Sequence, residues 1–174
     1  MKNLQSVLIF SFTILVATTF SAQINSKNIV KDFAEACGNW QGSLTYLDYS
    51  SGKPFTMQAD LEIARIGKSN QFIFSNRYPK ESNANSSDTI TISKDGKHMN
   101  HELVISRKKL SNKNIEIITT ESGKDGNDNK PATIKHIYTL GKNTFVNKKE
   151  VQFEGEKNWI KRHEYSYTKN IAKE

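Results

Sequence analysis

The sequence predicts an all-β protein: an antiparallel up-and-down β-barrel of about 8–10 strands, preceded by a short N-terminal helix. Three observations carry this expectation. After Gly38 the chain runs through about nine segments in which apolar and polar residues alternate, the period of half-buried strands. Short turns join most of them, among them Asp95-Gly96 and Gly141-Lys142-Asn143, and short turns favour antiparallel pairing of successive strands. Only two connections, 80–88 and 121–130, have the length that sandwich crossovers need, and closing the meander into a barrel removes exposed strand edges.

The elements follow in order. Lys2 supplies a positive start, Leu4 to Phe20 is almost uncharged and largely apolar, and Ser21-Ala22 is a small-residue exit. This is the plan of a secretory signal peptide, so residues 1–22 are expected to be removed and residues 23–174 to form one barrel domain. The apolar run is short and polar-diluted for a spanning helix, and no later stretch is long enough. An exported protein, periplasmic or secreted, with no stable membrane insertion after leader cleavage, is expected. The leader's style and the abundance of Lys, Asn and Ile suggest a bacterial source.

Behind the capping residues Asn25-Ser26, residues 27–37 place Ile29, Val30, Phe33, Ala34 and Cys37 near helical spacing, and Gly38 stops the helix. The first strand then turns Trp40, Gly42, Leu44 and Tyr46 to one face. The second does the same with Phe55, Met57, Ala59, Leu61 and Ile63, and the third with Phe72, Phe74 and Tyr78. Ser- and Asn-rich 80–88 reads as a loop, and Ile90 and Ile92 mark the fourth strand. The fifth is expected to align Met99, His101, Leu103 and Ile105, and the sixth Ile115 and Ile117; 121–130 reads as a second polar loop. Inward sets on the last three include Ala132, Ile134, His136, Tyr138 and Leu140, then Phe145, Lys149 and Phe153, then Trp159, His163, Tyr165 and Tyr167.

The formal charge of +7 is dispersed, with lysines and arginines interleaved among acids. Solvated outward strand faces explain that pattern, so nucleic acid is not expected as a partner, while weak contact with anionic envelope surfaces is compatible with it. Cys37 is the single cysteine, so no intramolecular disulfide is available and the core must supply the stability.

Gly38-Asn39-Trp40-Gln41-Gly42, opening the first strand behind a helix, resembles the lipocalin and wider calycin pattern. The lipocalin Thr-Asp-Tyr signature is absent and the disulfides of secreted animal lipocalins cannot form, so the chain looks more like bacterial lipocalin-like exported proteins. The resemblance implies that Gly38 and Trp40 form a structural plug at the closed end. It also implies that a basic side chain from the last strand region, Arg162 or Lys169, lies across the indole, and that the protein is a non-enzymatic binder of a small apolar or amphipathic molecule. The Gly-x-Trp-x-Gly form is similar as well to nitrobindin-like barrels, which implies haem as an alternative cofactor, with His163 the first choice for its iron.

Period two places His101, His136 and His163 on the predicted inner face, where a neutral imidazole would bond a polar ligand group or ligate iron. Phe74, Tyr138, Tyr165 and Trp159 join them as ligand-lining aromatics. Arg65 and Lys149 are expected near strand ends, where a cation suits a carboxylate or phosphate head group. His98 and His101 fall on opposite strand faces and lack the His-Glu-x-x-His order, and Asp125-Gly126-Asn127-Asp128-Asn129 lacks the spacing of a calcium loop, so no metal site is expected. No nucleophile elbow or phosphate-binding glycine loop is present, so no catalytic residue is assigned. A filled barrel displaying loops 80–88 and 121–130 as an envelope or secreted interaction module is the remaining alternative.

Overall fold

The chain changes from helix to strand where its hydrophobic period changes from about 3.6 to two. The computed structural model describes residues 26–48 and 50–169; the expected leader, residues 1–22, lies outside them. The first described element is helix α1 (Ser26–Glu35). Strands β1 (Gly38–Leu47), β2 (Pro54–Arg65), β3 (Gln71–Arg77) and β4 (Ser86–Thr91) follow. After them come β5 (His98–Met99), β6 (Glu102–Lys109), β7 (Ile115–Asp125), β8 (Lys130–Leu140), β9 (Thr144–Phe153) and β10 (Ile160–Lys169). No helix among the described residues is long and apolar enough to cross a membrane.

All strand pairs are antiparallel, and the order β4-β3-β2-β1-β10-β9-β8-β7-β6-β5 is a meander in which β10 returns to pair with β1. The expected barrel is therefore the observed architecture, nearly closed. Its seam lies between β4 and β5, which share a single bridge, Ile92 to Met99. Asn100 reinforces the seam: its backbone N–H donates to the Thr91 carbonyl and its side-chain oxygen accepts from the Thr91 N–H, both at 2.7 Å.

One end of the barrel is stoppered by α1. Ile29, Val30, Phe33 and Ala36 are buried on a single helix stripe. The Phe33 ring sits 5.8 to 5.9 Å from the rings of Phe72, Phe74 and Tyr138, and burying such a ring contributes about 2–3 kcal/mol. Arg107 on β6 holds the helix down through paired bonds to Asp32 at 2.6 and 2.8 Å. Gly38, at φ 123°, makes the helix-to-strand corner that a side chain would strain. Trp40 follows, 1% exposed, donating from its indole N–H to the Ala36 carbonyl at 2.9 Å. Two residues on, Gly42 permits a close backbone approach: a Cβ there would lie 2.0 Å from the Ser166 carbonyl oxygen.

Three expectations of side-chain direction or element extent are corrected. The fifth predicted strand is broken at Asn100, whose φ of 54° turns the chain between β5 and β6 and reverses the alternation. Glu102 and Val104 consequently face inward, while Leu103 and Ile105 are about half exposed and His101 lies on the outside, its ring bonded to Glu121 at 2.6 Å. A bulge between Lys161 and His163 does the same to Trp159, which is exposed and covered by the Lys135 ammonium 3.8 Å from its ring centroid. Third, most of 121–130 is strand: β7 runs on to Asp125, and a tight turn through Gly126 (φ 78°) and Asn129 (φ 51°) leads into β8.

Candidate functional site

Strand register brings six inward-facing residues into one cross-strand row around the barrel. Phe55 on β2 lies opposite Tyr46 on β1, Tyr46 opposite His163 on β10, and His163 opposite Lys149 on β9. Lys149 is in turn opposite His136 on β8, and His136 opposite Thr119 on β7. On one side of this row the interior is apolar, and on the other a smaller apolar cluster shares it with the buried Asp125. The main core holds Phe33, Trp40, Phe74, Tyr138, Phe145 and Tyr167, and a separate cluster of Ala132, Ile134 and Val151 lies on the other side. The row is thus a polar belt beside the main apolar core.

Glu102, inward because of the Asn100 turn, completes the belt. One carboxylate oxygen accepts from the Thr119 hydroxyl and lies 3.0 Å from His136 Nδ1. Burial opposes its ionisation, but the bonds from His136 and Thr119 outweigh that and hold the carboxyl below its ordinary range. An ionised Glu102 only accepts, so the proton in the His136 bond belongs to Nδ1.

His163 lies 6.4 Å from His136 and 5.4 Å from Tyr165, ring centre to ring centre. Burial, helped by the positive field of His136 and Lys149, brings its pKa down to about 4, so the ring is neutral at pH 7. No protein hydrogen bond to either ring nitrogen is present among the described residues. Beside it, Asn147 stands opposite both Tyr138 and Tyr165, and its buried side-chain oxygen has no partner.

The cations of this region are committed. Asp125 accepts from Lys149 at 2.9 Å and from Arg162 at 2.6 Å, and these partners overcome burial to keep its carboxyl below the ordinary range. Lys149, expected as a cation suited to a ligand head group, is paired with Asp125. Arg65 is corrected too: it binds the carbonyls of Ser69 and Lys68 in the β2–β3 turn and lies over Phe72. Of the two residues considered for the cation over Trp40, Lys169 takes the place, its ammonium 5.0 Å from the ring and 2.9 Å from the Cys37 carbonyl.

Tyrosines close the opposite wall. Tyr78 and Tyr165 share a 2.7 Å hydroxyl bond from β3's end to β10, and the Tyr167 hydroxyl donates to Asn76 at 3.2 Å. Burial raises the phenol pKa of Tyr138, Tyr165 and Tyr167, so all three stay protonated. At the rim Tyr46 and Phe55 stack at 5.6 Å, with Phe55 half exposed.

Of the residues singled out from the sequence, His136, His163, Tyr138, Tyr165 and Phe74 therefore meet inside the barrel, while His101, Trp159 and Arg65 do not join them. Glu102, Thr119 and Asn147 are members the sequence reading missed. Two surface recesses lie apart from the belt. One of about 610 Å³ runs from the β7–β8 turn to Phe153 and Arg162, and one of about 910 Å³ lies between α1 and the β6–β7 and β8–β9 turns.

No protein-family model matches the chain, and no curated protein matches it. Among solved structures it is similar to the crystal structure of Rv2717c from M. tuberculosis, at 11% identity and a TM-score of 0.48, over 82% of this chain and 97% of that one.

Proposed function

We propose that this protein is an exported, non-enzymatic binding protein that holds one small apolar or amphipathic molecule inside the barrel, in the manner of lipocalin-like proteins. The observation that carries the reading is the polar belt of Glu102, His136, His163 and Asn147 set beside the main apolar core. A belt needed only for packing would be apolar or internally paired, since a buried polar group without a partner costs stability. Catalysis receives no support from the same groups: Thr119 gives its proton to Glu102 rather than to an imidazole, and the phenols are held protonated. Haem on His163, the alternative, would have to fit beside the Tyr78–Tyr165 bridge.

The test is uptake of N-phenyl-1-naphthylamine, a neutral probe that fluoresces when it leaves water, together with native mass spectrometry of gently purified protein. Saturable enhancement reduced by His163→Phe is the expected result. No enhancement and no co-purifying molecule would defeat the reading.

A further inference from the structure

The end of the barrel stoppered by α1 carries a recess of about 910 Å³, walled by the helix and by the β6–β7 and β8–β9 turns. Buried Ala36 and Leu140 and half-buried Ile115 give it an apolar lining, and Lys113, Lys142 and Lys169 bring ammonium groups to it. The aliphatic stems of the lysines extend the apolar surface while their heads stay in water. The Asn114 side chain lies so close to Gly141 that a Cβ there would collide with it. The two turns are therefore in contact, and Lys113 and Lys142, each next to that contact, are carried together at one edge of the recess. Lys113 sits at φ 69°, a left-handed conformation that asparagine or glycine adopts at less cost, so its charge is held there against the preference of the backbone.

The acids of the recess are already matched: Asp32 is bonded to Arg107 at 2.6 Å, and Glu35 lies 3.8 Å from Lys31. Lys169 is held by the Trp40 ring and the Cys37 carbonyl, neither of which neutralises it. The three lysines lining the recess form no ion pair among the described residues and give it a net positive field. A concave surface with an apolar lining and cations at its edge suits one anionic head on an apolar body. The turns project Asn112, Lys113, Lys142 and Asn143, all exposed and polar, so they offer a bilayer no side chain to insert. A second copy docking by the same face would set lysines against lysines. We propose that this recess is a second ligand site that takes a single-chain anionic amphipath, a fatty-acid carboxylate, with its head on Lys113 and Lys142 and its chain toward Ile115 and Leu140. The site lies outside the barrel and does not depend on the interior reading.

Decanoate, decanol and decyltrimethylammonium share a chain and differ in the head, and amide proton–nitrogen correlation spectra of the protein at pH 7 show where each one binds. The expected result is that decanoate shifts the amides of residues 112–114 and 141–143 with an affinity about fivefold above that of decanol, the worth of two exposed cation contacts. Decyltrimethylammonium should leave these amides unmoved, and raising NaCl from about 0.05 to about 0.5 M should remove most of the decanoate advantage. Lys113→Asn combined with Lys142→Gln, which suits the left-handed turn, should bring decanoate down to decanol. The same variant should keep the N-phenyl-1-naphthylamine response of the unmodified protein, so the two sites succeed or fail separately. Decanoate that binds these turns no better than decanol, or that shifts only residues of the belt, overturns the proposal. So do shifts at these turns that follow protein concentration instead of decanoate, the mark of a second copy. Flotation with phosphatidylglycerol vesicles without any response to decanoate, the mark of a membrane surface, overturns it as well.

Discussion

Replacing His163 with Phe should remove a specific part of the protein's acid sensitivity. In the folded chain the imidazole titrates near 4, against an unfolded value of 6.5. The folded state therefore binds this proton less readily than the unfolded chain. Between these two values the unfolded chain gains a proton that the folded protein refuses, so stability is unaffected well above 6.5 and falls as pH drops through that window. At about 1.4 kcal/mol per unit, the full gap corresponds to about 3 kcal/mol, of which about 2 kcal/mol is lost between pH 7 and pH 4.5. Phenylalanine keeps a ring against Tyr165 and cannot titrate. Urea unfolding of both proteins at pH 7, 6, 5 and 4.5 gives the comparison, and carboxylates common to the two cancel in the difference. The variant should show about 2 kcal/mol less loss across that range. Parallel stability curves would refute the assignment of His163 as a buried neutral group. Glu102 acts in a lower window: its lowered pKa supplies stability above about 4.5 that disappears as pH falls through the folded value, so it adds to acid unfolding at the lower end of the His163 range and below it.

Gly42→Ala should cost about 3 kcal/mol and lower Tm by about 10 °C in a thermal melt, because the new methyl would collide with backbone of β10 rather than with a movable side chain. Asp32→Asn should cost about 3 kcal/mol in urea unfolding by leaving Arg107 without its counter-charge, and Asp32→Leu combined with Arg107→Met should recover most of it. Lys169→Met should cost about 1–2 kcal/mol through loss of the Trp40 cation–π contact and the bond to the Cys37 carbonyl, with Lys169→Arg closer to the unmodified protein in the same measurement.

The barrel was legible in the sequence because its strands mostly keep strict alternation. From Trp40 through Ile63, and again from Ala132 through Leu140, each inward assignment is an inward side chain. Alternation fails wherever one residue leaves the pleat. Asn100 adopts a positive φ, which asparagine tolerates better than most residues, and everything after it moves to the opposite face. His101 was thus read inward and Glu102 outward, the reverse of their positions. The one local signal was asparagine beside a short hydrophobic run, too common a pattern to mark a turn. At the other end a bulge near Arg162 let Tyr165 and Tyr167 be read correctly while Trp159 was not. The extension of β7 through Glu121, Gly123 and Asp125 was hidden by composition: Asp125 is buried because Lys149 and Arg162 reach it from other strands, and Glu121 is met by the exposed His101. Partners so distant in sequence leave no local trace.

The distribution of polarity inside the barrel is the feature that fold stability does not require. Strands β1 to β3 present Leu44, Met57 and Phe74 inward, whereas β6 to β10 present Glu102, Thr119, His136, Asn147, Lys149 and His163 at neighbouring levels. Leucine or phenylalanine at these positions would continue the core, and replacing buried polar groups by apolar ones of similar shape is often neutral or stabilising. Paired members such as Lys149 with Asp125 offset much of their own desolvation. Asn147 and His163 do not: the depressed basicity of His163 and the unbonded buried oxygen of Asn147 are costs borne by the fold. One wall is therefore apolar and the facing wall is rich in polar groups, with the half-exposed Phe55 and Tyr46 at the rim between them. A molecule with an apolar body and one polar group would match both walls, and that is the form of ligand the proposed binding reading calls for.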